Sequence, residues 1–107
     1  MEDNQAETPD SQPEVQEQLA DPGELLRWMI GVLAGSAWQN LGLVPNPVTK
    51  KVDRRLDDAR LVIDAAASLI EHLKPRADAT ERRDLDTLLA NLRLNFVEQH
   101  ARSEQSG

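Results

Sequence analysis

The side chains able to do chemistry are few and badly placed for it. The two histidines, His72 and His100, have no second ligand at metal-binding spacing, and cysteine is absent. No Ser, Thr or Lys stands beside a base in a nucleophile pattern, and no glycine-rich loop offers backbone amides to a phosphate. Carboxylates occur as solvated helix-face acids. The sequence therefore points away from an enzyme and names no cofactor, metal or catalytic residue.

The remaining chemistry is charge. "KKVDRRLDDAR" gathers Lys50, Lys51, Arg54 and Arg55, and "ERRDLD" adds Arg82 and Arg83. Such clusters can hold an anion or a nucleic-acid backbone. Here Asp53, Asp57 and Asp58 are interleaved with the bases, and no aromatic residue lies nearby to stack on a nucleobase. Arg54 and Asp58 are spaced as an i,i+4 pair. A self-compensating solvated face explains these runs, with anion or nucleic-acid binding as the second reading.

A different surface stands out in "GVLAGSAWQNLGLVPNPVT", residues 31–49, which carry no charge in a chain that is 29% charged. Trp28, Gly31, Val32, Gly35 and Trp38 lie on one side of the helix expected there, opposite an apolar core face of Leu26, Met29, Ile30, Leu33, Ala34, Ala37 and Leu41. Glycine inside a helix costs about 1 kcal/mol relative to alanine. The pair Gly31 and Gly35 therefore suggests close approach of another helix. Two partners are open: a second copy of the chain, or the third helix of the same chain crossing the notch.

The elements that must position these residues follow from local signals. Asp21-Pro22-Gly23-Glu24 is a helix start, with a cap, a proline at the first position and an acid in the first turn. The helix runs to about Leu41, where Gly42 stops it. A loop follows in which Pro45 and Pro47 stiffen the chain and hold Asn46 extended, up to Thr49. A second helix is expected from about Asp53 to Lys74, closed by Pro75. A third is expected from Asp78 or Thr80 to about His100. Its apolar stripe is Leu85, Leu88, Leu89, Leu92 and Phe96. No segment alternates with the period of a strand.

At 107 residues there is room for one domain. The net charge of −7 is unevenly spread: residues 1–24 hold eight acids and no base, leaving 11 acids against 12 bases in the rest. The expected organisation is an acidic, disordered tail over 1–20, a three-helix all-α domain over 21–100 and a frayed end over 101–107. The polar, acidic start is not a Sec-type signal, and the first helix is too short and too polar at its ends for a membrane span. The cytoplasm is the expected compartment.

The run from Arg27 to Gln99 resembles a small bacterial family catalogued as domain of unknown function 1844. The shared features are the small-residue apolar first helix, Leu41-Gly42, Pro45-x-Pro47-x-Thr49, the Ala59–Asp64 stretch and the closing "LRLNFVE". Trp28 stands where aromatic residues of the family are often Phe or Tyr. The resemblance covers roughly residues 26–99. It implies a bacterial, cytoplasmic protein and supplies no activity to carry over. The reading drawn from the residues is a non-enzymatic helical interaction module, self-associating through helix one or binding a protein partner. A translation- or nucleic-acid-associated accessory role is the alternative, and a small-molecule or lipid binder a further one.

Overall fold

The computed structural model describes residues 21–106. The acidic tail expected over 1–20 lies outside them. Three helices follow one another: α1 (Pro22–Asn40), α2 (Leu56–Leu73) and α3 (Ala79–Ser106), with a 3-10 turn (Lys74–Arg76) joining the last two. No strand forms among the described residues.

α1 begins where its capping chemistry says it should. The Asp21 carboxylate accepts the Glu24 N–H at 3.0 Å, which satisfies one of the four free donors of the first turn. Its end is a Schellman stop. The Leu43 N–H reaches back to the Trp38 carbonyl and the Gly42 N–H to that of Gln39, while Gly42 adopts a left-handed φ of 78°. A side chain at Gly42 would also crowd Arg54, whose Cβ would lie 3.1 Å from the added Cβ.

α2 starts three residues later than the sequence suggests. The Arg55 N–H donates to the Asn40 carbonyl at 2.7 Å, and Leu41 and Arg54 form an antiparallel bridge. Residues 54 and 55 are thus drawn into extended backbone along the end of α1 and cannot be helical. This contact returns the chain, so α2 runs antiparallel to α1.

Pro75 ends α2 in the 3-10 turn, and Asp78 caps α3 by accepting the Glu81 N–H at 2.8 Å. α3 then continues to Ser106. The frayed segment expected from residue 101 is helical, because "ARSEQS" contains no helix breaker before Gly107. At 1.5 Å per residue, α3 outruns the 18-residue α2 by about 15 Å.

One core unites the helices: Ile30, Ala34 and Ala37 from α1, Ile63, Ile70 and Leu73 from α2, and Leu85, Leu89 and Leu92 from α3. Ile70, Leu73 and Leu92 are fully buried. Each such side chain is worth about 1.5–3 kcal/mol in burial. α1 and α2 meet most extensively, and α1 barely touches α3. Ala37, Ala59 and Ala66 have no exposed surface. Close approach within the chain is thus made by alanines and not by the glycines of α1.

Candidate interaction surface

With its core face turned to α2, α1 leaves the opposite side open. Trp28 is 59% exposed, Val32 52% and Leu25 36%. They recur at helical spacing, so their side chains line one stripe. Gly31 and Gly35 lie beside this stripe, and an added Cβ at either would meet no atom within 4 Å outside its own helix backbone. Among the described residues, α3 does not cross this notch, so the intramolecular explanation for the two glycines is not the one the fold uses. Exposed patches of this kind often mark contacts.

Trp38 sits on the shoulder of the stripe. It is half-buried and packs against the shared core. The open surface is therefore centred on Trp28, Gly31, Val32 and Gly35, with Trp38 anchoring its edge to the domain.

Arg27, which the helical pattern places near the same outer face, turns the other way. Its Nε and Nη2 donate to the two carboxylate oxygens of Glu81 at 2.7 and 3.0 Å, and its Nη1 donates to Glu24 at 2.9 Å. The hydrogen bond to Glu81 raises the guanidinium pKa above its ordinary value. The pair braces the start of α1 to the first turn of α3. Nothing in the sequence marks Glu81 as its partner, 54 residues away.

The loop residues Pro45, Asn46, Pro47 and Thr49 are organised around Asn46. Its side-chain oxygen accepts the N–H groups of Val48 and Thr49 at 2.7 and 3.1 Å. Asn46, Thr49, Asp53, Arg55 and the end of α1 line a polar pocket of about 200 Å³.

The basic runs are divided. Arg54 donates to the buried Gln99 at 2.8 Å, tying the start of α2 to α3. Arg55 pairs with Asp53 at 2.9 Å, and that hydrogen bond raises its pKa. Lys50, Lys51, Arg82 and Arg83 are exposed and make no ion pair among the described residues. The four are split between the loop and the first turn of α3 and form no single basic face.

Between α2 and α3, two adjoining shallow grooves of about 310 and 400 Å³ share Arg60, Phe96 and Val97. His100 stacks on Phe96 with ring centroids 5.9 Å apart. Among the described residues, no three His, Asp or Glu side chains gather as a metal site, and no helix is long and apolar enough to cross a membrane.

Fold and surface together define a small all-α domain of three helices that, among the described residues, leaves an apolar face of α1 uncovered. The chain belongs to the family described as Domain of unknown function (DUF1844), whose model matches residues 26–98, from the first turns of α1 to the last third of α3. No curated protein and no solved structure matches the chain.

Proposed function

We propose that this protein is a non-enzymatic interaction module of the cytoplasm that self-associates through the outer face of α1. The observation that carries the reading is the pairing of an exposed Trp28 with two glycines whose missing side chains face open space. A two-fold axis passing between Gly31 and Val32 pairs Trp28 of one copy with Gly35 of the other, because the two positions are equidistant from the axis. The indole of each copy then fills the gap left by the other's glycine. One patch serves both sides, as two-fold symmetry requires. Antiparallel α1 helices also set opposite dipole ends together. The only charged residues of α1 are Glu24 and Arg27, and they already pair with one another.

The nucleic-acid reading loses support from Arg54 and Arg55, both of which are engaged within the chain. The test is analytical ultracentrifugation of the full chain. Wild type should sediment as a dimer, and Gly31→Leu with Gly35→Leu should be monomeric with its helicity kept, since an added Cβ at either position points into open space. A wild type that is strictly monomeric at high concentration ends this reading.

A further inference from the structure

The loop between α1 and α2 exposes four aliphatic side chains: Leu43 at 41%, Val44 at 39%, Val48 at 85% and Val52 at 61%. Lys50 and Lys51 stand among them, and no acid occurs from residue 41 to 52. The N–H groups at the tip of this loop are satisfied from within it. Pro45 and Pro47 have no N–H to satisfy. Asn46 donates to the Lys51 carbonyl at 2.9 Å and Lys50 to the Asn46 carbonyl at 2.8 Å. Val48 and Thr49 donate to the Asn46 side chain, and Lys51 donates to the Thr49 hydroxyl oxygen at 3.3 Å. From 45 to 51, no backbone donor is left over.

Water takes up any free donor, so exposure alone does not call for this arrangement. A loop that recognises another protein gains by leaving donors for its partner's carbonyls. A lipid surface offers few acceptors below its headgroups, so a segment entering it must satisfy its own N–H groups. Lys50 adds a second observation. Its φ of 63° lies in the left-handed region, which costs a non-glycine residue about 1–2 kcal/mol. A cation stands where glycine or asparagine would be at ease.

We infer that residues 45–51 form a docking tip for an anionic lipid surface. Val48 enters the boundary between headgroups and acyl chains, and Lys50 and Lys51 meet the lipid phosphates. Across residues 41–52 the charge is +2, and Asp53, the next acid along the chain, is paired with Arg55.

The experiment is flotation of the full chain with vesicles of phosphatidylcholine alone and of phosphatidylcholine mixed with phosphatidylglycerol. Binding is expected to the mixed vesicles only, and to fall as salt is raised. Lys50→Gln and Lys51→Gln should each weaken it about fivefold. Val48→Asp should abolish it with helicity unchanged. All three variants lie off the outer face of α1 and should sediment as wild type does. A chain that ignores the mixed vesicles overturns the inference. Equal binding to both vesicles, binding indifferent to Val48→Asp, or a loop that cross-links to an acidic protein without binding vesicles does the same.

Discussion

Arg27 grips Glu81 with two parallel hydrogen bonds, of 2.7 and 3.0 Å, and so fastens the first turns of α1 to the first turn of α3. The two helices otherwise hardly touch, so this fork is a direct tie between elements that are otherwise placed by their packing on α2. Both side chains are about one-third exposed, which places the pair at the upper end of surface ion pairs. Glu81→Gln should lower stability by about 1 kcal/mol in thermal melts. A double-mutant cycle with Arg27→Met should return a coupling of the same size. No coupling would mean that α1 is held by its apolar face alone.

Gly31→Ala and Gly35→Ala should each stabilise the single chain by about 0.5–1 kcal/mol, because helical glycine carries an entropy cost and the added methyl meets nothing. If a second copy packs on this face, the same methyls should weaken the dimer. Melting dilute protein and sedimenting concentrated protein separate the two effects. Destabilisation in dilute solution would show that the notch is covered within the chain.

Gly42→Ala should cost more than 1 kcal/mol, since the left-handed backbone and the approach of Arg54 act together. Asn46→Ala should be milder in melting temperature but should speed hydrogen exchange at Val48 and Thr49, whose N–H groups it releases. Unchanged exchange at those two amides would show that the asparagine is not the hub of the loop.

Lys74 bridges Asp86 at 2.7 Å and Glu71 at 3.5 Å at the α2–α3 junction. The hydrogen bond to Asp86 raises its pKa above the ordinary 10.5. A raised cation contributes its full stabilisation below the ordinary value and loses it as pH climbs through the raised one. Stability should therefore be insensitive to Lys74 from neutrality to about pH 10 and fall above it. Lys74→Met should remove that part of the alkaline loss in pH-dependent melts. An identical alkaline profile would leave the bridge without weight.

Much of the fold was legible in the sequence because its signals are local. Asp21 caps, Gly42 and Pro75 stop, and the apolar stripe of α3 became its buried face. α3 runs past the expected end near His100 to Ser106, since no breaker precedes Gly107. Expecting a frayed end underweighted that. Of the candidate surface, the sequence located the arc of Trp28, Gly31, Val32 and Gly35 by periodicity alone. Only the tertiary structure decided that no other described helix covers the arc, that Trp38 leans on the core and that Arg27 turns to Glu81. Periodicity ranks the faces of one helix, but which neighbour covers a face depends on how the whole chain returns. The start of α2 shows the same divide. Helix propensity allows it from Asp53, but the carbonyl of Asn40 takes the N–H of Arg55 and the helix waits until Leu56.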